Sequence, residues 1–265
     1  MALRDEPGTA SMMVSQSVSV CGGPGGPLSA LPERLSTLRR PGTERFPLLY
    51  HLLRVSCTPL LRSLFSLRVS GVERLPASGP FILAANHHNY LDGVVLGAAV
   101  PRPIAFLVMP RVYHASPLHP PFHRSVGSIP VNLERPDPGA IKRALRVLEE
   151  GRVIGIFPEG PFSHDGRLVP GQPGVAMIAL RSGVPVVPAA IEGTYEALAG
   201  RRFYMPRKQP LSVRIGEPMH FGRLRHRRVT HAERAEITRR IMNEIAALLD
   251  AGPAPAAAAG RAGAS

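Results

Sequence analysis

The strongest constraint on this chain is the alternation of short apolar runs with helical segments between residues 67 and 250. The predicted strands lie at 67–75, 81–87, 104–110, 127–133, 153–160, 184–193 and 211–218. The predicted helices lie at 91–100, 138–150, 174–183 and 231–250, the last with Thr230 and Glu233 as a capping box. This alternation is typical of the α/β class, so we predict a central, mostly parallel mixed sheet flanked by helices.

Both ends of the chain differ in composition from this region. Residues 1–43 are rich in Gly, Ser and Pro, and residues 251–265 are an Ala/Gly/Pro tail. Such segments hold too little apolar surface to fold, so we predict a disordered lead and a disordered tail. We find no signal-peptide pattern and no apolar run long enough for a transmembrane helix.

Residues 44–66 read ERFPLLYHLLRVSCTPLLRSLFS and form the most leucine-rich stretch of the chain. Arg54 and Arg62 interrupt the apolar surface, and Pro59 favours a kink. The pattern predicts two short amphipathic helices that associate with a membrane interface without crossing it. An amphipathic helix packed on the following domain is the alternative, and the sequence does not decide between them.

The net charge of +13 predicts an anionic partner, such as a lipid surface, a nucleic acid or a phosphorylated substrate. Nucleic acid is the weaker choice, since Trp is absent, aromatic residues make up 5%, and no nucleic-acid-binding motif is present. The two cysteines form no CxxC pair, so we expect a reducing compartment without a disulfide framework.

A candidate catalytic pair lies in the segment 86–92, which reads NHHNYLD. His87 ends a predicted buried strand, and Asp92 follows where a helix begins, at the sheet edge where active residues of α/β folds gather. The Asp92 carboxylate would fix the imidazole tautomer and leave the other ring nitrogen free to take a proton. This spacing alone is weak, because a structural histidine and a helix-capping aspartate fit it equally well.

Further blocks in a fixed order support the catalytic interpretation. After NHHNYLD come GSIP at 127–130, FPEG at 157–160 and VPVVP at 184–188. This ordered set resembles the glycerophospholipid acyltransferase family, specifically the lysophosphatidic acid acyltransferase group, over about residues 67–220. The resemblance implies an O-acyltransferase of phospholipid biosynthesis in which His87 is the general base and Asp92 orients it.

The resemblance also implies the substrates. The acceptor would be a lysophospholipid, with 1-acyl-sn-glycerol-3-phosphate expected, and the donor acyl-CoA or acyl carrier protein, without a further cofactor or metal. The substrate-binding residues would be Phe157, Pro158, Glu159, Gly160, Arg135 and Pro188. The expected location is the cytoplasmic face of a bacterial membrane, because the arginine-rich composition is typical of GC-rich genomes.

Two departures from the family pattern concern the acceptor. The family usually places arginines where this chain has Leu133 and Phe162, and arginine binds phosphate through two parallel hydrogen bonds. Arg135, Lys142 or Arg167 would have to compensate. A non-phosphate lysolipid or another alcohol therefore remains the alternative acceptor.

The residues suit direct acyl transfer from a thioester, because thiolate is a good leaving group and no GxSxG nucleophile elbow is present. We expect backbone amides of 158–161 to stabilise the oxyanion. His114, His119 and His123 raise the hypothesis of a metal hydrolase, but their spacing matches no usual zinc motif. The intact His87 and Asp92 argue against a family member that has lost activity.

Overall fold

The computed structural model describes residues 48–132, 137–198, 206–224 and 227–252 of the 265-residue chain. Its helices are α1 Leu48–Phe65, α2 Leu91–Ala99, α3 Pro110–Tyr113, α4 His119–Ser125, α5 Pro138–Glu149, α6 Gly174–Ser182, α7 Thr194–Leu198 and α8 His231–Asp250. Its strands are β1 Arg68–Ser70, β2 Ile82–Ala85, β3 Ile104–Val108, β4 Ile129–Pro130, β5 Val153–Ile156, β6 Val186–Glu192 and β7 Ser212–Ile215.

These strands form one sheet of seven in the order β1-β7-β6-β2-β5-β3-β4. Every neighbouring pair is parallel except β6 and β7, which run antiparallel. The two central strands, β2 and β5, are buried along their whole length. Strands covered on both faces read as continuous apolar runs, which explains the sequences ILAA and VIGI.

Helices cover the sheet on both faces and create two apolar cores. One core joins α1 and α2 to the sheet through Leu61, Phe65 and Leu96. The other joins α5, α6 and α8 through Ala144, Ile178 and Ile241. The predicted mixed sheet flanked by helices is confirmed, as is the capping box of α8, in which Thr230 and Glu233 bond each other's backbone N–H groups.

The prediction of two helices within 44–66 is wrong, because α1 is one helix that contains Pro59. Proline removes a single backbone donor, and neighbouring hydroxyls bond carbonyls of the same helix, including Thr58 Oγ1 to Arg54 O at 2.7 Å. Packing on α2 and a bond to β3 also hold the helix, because the Tyr50 hydroxyl accepts the backbone N–H of Ile104 at 3.2 Å. Within the described ranges, no helix has the length and hydropathy required to cross a membrane.

The sheet order determines where the candidate site forms. The loops that follow β2 and β5 leave the same edge of the sheet from adjacent parallel strands, in the register Ala84 to Ile156. The loop after β2 contains His87, and the loop after β5 contains Glu159. Residues 72 positions apart in sequence therefore meet at the carboxyl edge of the sheet.

Candidate active site

His87 and Asp92 form a hydrogen-bonded pair at this edge. The Nδ1 atom of His87 lies 2.9 Å from Oδ2 of Asp92, which is completely buried at the first turn of α2. The same Oδ2 accepts the backbone N–H groups of His88 at 2.6 Å and Asn89 at 2.8 Å. These bonds fix the carboxylate, so that it holds the imidazole in one orientation.

The arrangement prepares the His87 ring to accept a proton. A carboxylate oxygen accepts, so Nδ1 carries the ring proton and Nε2 retains its lone pair. Burial lowers the pKa of His87 from its usual value, and the bond and charge of Asp92 oppose part of that shift. The imidazole is therefore neutral at physiological pH, as a general base requires.

Glu159 braces the loop that carries His87. Its Oε1 accepts the backbone N–H of His87 at 2.7 Å, and its Oε2 accepts the N–H of Val169 at 2.9 Å. The side chain is buried, which raises the pKa of its carboxyl to about 7 against the effect of these two N–H groups. Both carboxylate oxygens are thus engaged by the protein backbone.

Aromatic side chains enclose the imidazole. The Phe157 ring stacks on the His87 ring at 3.7 Å with an angle of 5° between the planes. Phe162 meets His87 edge-on at 4.4 Å and also contacts Tyr90 at 4.7 Å. These rings exclude water from the imidazole, which is the physical origin of its lowered pKa.

The turn at 158–161 offers few donors for an oxyanion. Pro158 and Pro161 have no N–H, and the N–H of Gly160 donates to Phe157 O at 3.0 Å. Gly160 has a φ of +83°, and a Cβ there would lie 2.5 Å from the Gln172 side chain, so the position requires glycine. Within this turn, only the N–H of Glu159 remains for the oxyanion that the sequence predicted.

A cavity of about 380 Å³ opens beside His87 and is mostly apolar. His87, Phe157 and Phe162 line one part of its wall, and Tyr50 and Cys57 of α1 line another. Residues of α2, β3 and α4 complete the wall between them. The cavity has the apolar character that a hydrocarbon chain needs.

Comparison with known proteins identifies the family. The Acyltransferase family model matches residues 66–192. A 1-acyl-sn-glycerol-3-phosphate acyltransferase of Bacillus subtilis (strain 168) is 30% identical over 175 residues, which are 64% of this chain and 84% of that enzyme. The chain belongs to this acyltransferase family. It is an O-acyltransferase, as its sequence motifs predicted.

Two further relatives agree with this assignment. A chloroplastic 1-acyl-sn-glycerol-3-phosphate acyltransferase of Brassica napus is 33% identical over 131 residues, which are 48% of this chain and 37% of that enzyme. The crystal structure of the 1-acyl-sn-glycerophosphate acyltransferase of Thermotoga maritima superposes with a TM-score of 0.60 at 22% identity, over 77% of this chain and 78% of that one. At that identity, the structural match shows a shared fold.

Some residues that the sequence suggested for substrate binding do not line the cavity beside His87. Pro188 is buried in β6, where its carbonyl accepts the N–H of Gly216 at 2.8 Å, and it does not line the cavity. Arg167 is 88% exposed and faces Asp165, and Lys142 is exposed on α5. Arg135 and Leu133 lie outside the described residues, so the predicted role of Arg135 stays a prediction.

The three histidines considered for a metal site belong to the α3–α4 segment. His114 is exposed, His119 bonds Ser116 at 2.8 Å, and His123 bonds Ser128 at 3.2 Å. His123 also stacks on Tyr113 at 5.0 Å. In the described part of the chain, no three His, Cys, Asp or Glu side chains are placed to hold a metal ion.

Sequence reasoning missed a buried polar network behind the His87–Asp92 pair. Asn86, His88 and Asn89 are all buried, and they bond Ile191 near the end of β6 and Thr194 at the start of α7. The amides and hydroxyl concerned are 105 or more positions apart in sequence. In the sequence, this network was signalled by Asn86 and Asn89 after an apolar strand, and asparagines at such positions are equally typical of turns and helix caps.

Proposed function

We propose that this acyltransferase moves a fatty acyl group from acyl-CoA or acyl carrier protein to the free hydroxyl of 1-acyl-sn-glycerol-3-phosphate, with His87 as general base. The observation that best supports this proposal is the 2.9 Å hydrogen bond between His87 Nδ1 and the fully buried Asp92. The same His87 ring lines the apolar cavity. The names of the relatives, which include enzymes acting on 1-acyl-sn-glycerol-3-phosphate, support the acceptor.

The chemistry needs one proton acceptor and no covalent intermediate. Nε2 of His87 takes the hydroxyl proton while the oxygen attacks the thioester carbon. The resulting imidazolium is stabilised by the Asp92 carboxylate, bound 2.9 Å away. The tetrahedral intermediate then expels the thiolate, which receives the proton from His87, so the histidine ends as it began. All the required groups come from the two substrates and the protein, and no cofactor is needed.

The cavity supports a lipid substrate on the proposed reaction path. Its lining includes the His87 ring, apolar side chains of β3 such as Phe106 and Val108, and Tyr50 on α1. An acyl chain placed there would leave its thioester carbon beside His87. Burial of each methylene contributes about 0.8 kcal/mol, which favours long chains over short ones.

An acceptor without a phosphate headgroup is the second candidate substrate. Phe162 stands against His87 at 4.4 Å, where the family pattern places an arginine, and it brings an apolar ring to the proposed acceptor side. This observation favours a lysolipid or alcohol without a phosphate near that position. The phosphate and non-phosphate acceptors are distinguished by direct competition in the assay below.

A membrane surface as the source of the lipid is also part of the proposal. Every large apolar side chain that the described residues expose lies on α1, on α2 with the residue preceding it, or on α4 with the residue preceding it. Leu48 is 74% exposed and Leu118 is 78% exposed. Some of these exposed side chains, such as Leu53, Val94 and Phe122, also line the cavity. Such a surface on a basic protein suits an anionic bilayer.

The test is acyl transfer by purified protein with labelled acyl-CoA and acyl carrier protein, using 1-acyl-sn-glycerol-3-phosphate and monoacylglycerol as acceptors. His87→Ala is expected to abolish transfer. The matched control is His164→Ala, since His164 is an exposed histidine in the loop after β5. Transfer that persists in His87→Ala would reject the general-base role, and no transfer by the wild type to any acceptor would reject the reaction.

A further inference from the structure

The loop that carries His87 is held from behind by four buried polar side chains. Asn86, His88, Asn89 and Thr194 are each 7% exposed or less. The Asn86 side chain bonds the backbone of Ile191 twice, with Oδ1 accepting its N–H at 2.7 Å and Nδ2 donating to its carbonyl at 2.9 Å. The loop is thereby attached to the end of β6 immediately beside the catalytic histidine.

These bonds determine the tautomer of His88. Because Oδ1 of Asn86 accepts from Ile191, the orientation of the amide is fixed and Nδ2 is the donor toward His88 Nε2, at 3.3 Å. Nε2 therefore accepts, and Nδ1 carries the proton. That N–H donates to the hydroxyl of Thr194 at 3.1 Å. Both ring nitrogens of His88 are thus hydrogen-bonded, one to Asn86 and the other to Thr194, and neither is free for chemistry.

Thr194 anchors the loop at a second point. Its backbone carbonyl accepts from Asn89 Nδ2 at 2.6 Å, and Oδ1 of Asn89 accepts the N–H of Leu91 at 2.9 Å. The backbone N–H groups of His88 and Asn89 in turn donate to Asp92 Oδ2, the atom that orients His87. A single threonine at the start of α7 is therefore connected through two residues to the carboxylate of the catalytic pair.

We propose that Thr194 is a positioning residue of the acyltransferase, which keeps Asp92 and His87 in register by holding His88 and Asn89. This inference rests on the proposed role of His87 as the base. A fully buried hydroxyl with a defined partner costs free energy when it is removed, since the remaining His88 N–H is left unsatisfied. That N–H belongs to His88, the residue next to His87, so relaxation of His88 is expected to displace the His87 loop.

The experiment compares three variants. Thr194→Val keeps the volume and the backbone carbonyl but removes the hydroxyl, and Thr194→Ser restores it. Thr238→Val is the matched control, because Thr238 is also buried, at 4% exposure, yet its hydroxyl has no hydrogen-bond partner among the described residues. Each protein is assayed for kcat and KM, and the Nδ1–H proton of His87 is observed by NMR.

Thr194→Val is expected to lower kcat roughly tenfold with KM unchanged, less than the 100-fold loss that a misplacement of about 1 Å can cause. The His87 Nδ1–H signal should broaden or vanish, while Thr194→Ser and Thr238→Val keep both the signal and the rate. A kcat within twofold of the wild type, or equal losses in the Thr238 control, would overturn the proposal. If the wild type transfers no acyl group, the catalytic role of His87 fails, and the NMR signal alone then decides whether Thr194 holds its ring.

Discussion

The carboxylate of Glu159 accepts the backbone N–H of His87 at 2.7 Å, and this bond joins the loops that follow β5 and β2. The resemblance to the family implied that Glu159 would bind substrate. In the structure, its second oxygen accepts the N–H of Val169, so the side chain connects two backbone segments around His87.

The buried Glu159 should make stability depend on pH. Its folded pKa is raised to about 7 from 4.5, so the folded state binds this proton more tightly and stability falls as pH rises between these values. Glu159→Gln removes that dependence but leaves one backbone N–H facing an amide NH₂ at every pH. From pH 4.5 to pH 7, the wild type should therefore lose about 3 kcal/mol of unfolding free energy that Glu159→Gln does not lose.

Denaturant titrations across this pH range measure the effect of Glu159→Gln. Glu244→Gln, at an exposed position on α8, is the control and should remain parallel to the wild type. A difference between Glu159→Gln and the wild type that stays constant with pH would contradict the raised pKa of Glu159.

Asp92→Asn tests the charge of the catalytic pair. Oδ1 of Asp92 has no hydrogen-bond partner among the described residues, so the new NH₂ group can occupy its place while the remaining oxygen keeps its three donors. The geometry should survive, whereas stabilisation of the imidazolium is lost, and kcat should fall on the order of 1,000-fold.

The pH profile of Asp92→Asn tests the direction in which Asp92 shifts the pKa of His87. Asp92 raises the pKa of His87 against burial, so its loss should move the acid limb of the kcat profile to lower pH. An acid limb that moves upward, or a loss of less than tenfold in kcat, would show that Asp92 acts as a helix cap and not as the partner of the base.

Gly93 offers a test of the proposed acyl-chain cavity. It lies on α2 and lines the cavity, and a Cβ at this position would meet no atom within 4 Å. Gly93→Leu should fill part of the space and shorten the longest acyl donor that is used efficiently, without loss of stability, because Leu favours a helix by nearly 1 kcal/mol over Gly. Gly93→Ala is the small control. An unchanged chain-length profile in Gly93→Leu would place the acyl chain elsewhere.

Leu118 provides a test of the membrane surface. It is 78% exposed between α3 and α4, so Leu118→Asp should leave folding unchanged. Binding to vesicles containing anionic lipid should weaken several-fold, because the variant adds a negative charge and removes apolar contact. Ala232→Asp places the same charge at an exposed position on α8 and serves as the control in vesicle sedimentation. Equal binding by the two variants would argue against docking through this surface.

The sequence predicted the sheet and its main helices from local patterns, and it predicted the His87–Asp92 pair once the ordered blocks of the family were added. The apolar run before His87 and the helix start at Asp92 are both local, and their spacing brings the side chains together once a strand and a helix form. The capping box of α8 is equally local. The prediction that the backbone amides of 158–161 stabilise the oxyanion was too broad. Pro158 and Pro161 have no N–H, which the sequence already shows.

The remaining features depend on contacts distant in the chain. Glu159 meets the His87 backbone and Thr194 meets His88 only because β5 and β6 both pair with β2, an order that no local pattern shows. The sequence of 44–66 predicted two short helices, but this segment packs against α2 and Ile104 as one helix that lines the cavity. Long-range pairing therefore determines which buried groups hold the His87 loop, although local patterns already place His87 close to Asp92.

Phe162→Arg tests which acceptor the enzyme prefers. The Phe162 ring lies 4.4 Å from the His87 ring and 4.7 Å from Tyr90, so an arginine stem can follow the same path and present its guanidinium near the proposed acceptor. A charged hydrogen bond to phosphate contributes about 1.5–3 kcal/mol. The kcat/KM ratio for 1-acyl-sn-glycerol-3-phosphate over monoacylglycerol should therefore rise at least tenfold in Phe162→Arg and stay constant in Phe162→Leu. An unchanged ratio in both variants would mean that the phosphate is bound away from Phe162, and a wild-type preference for monoacylglycerol would establish the non-phosphate acceptor.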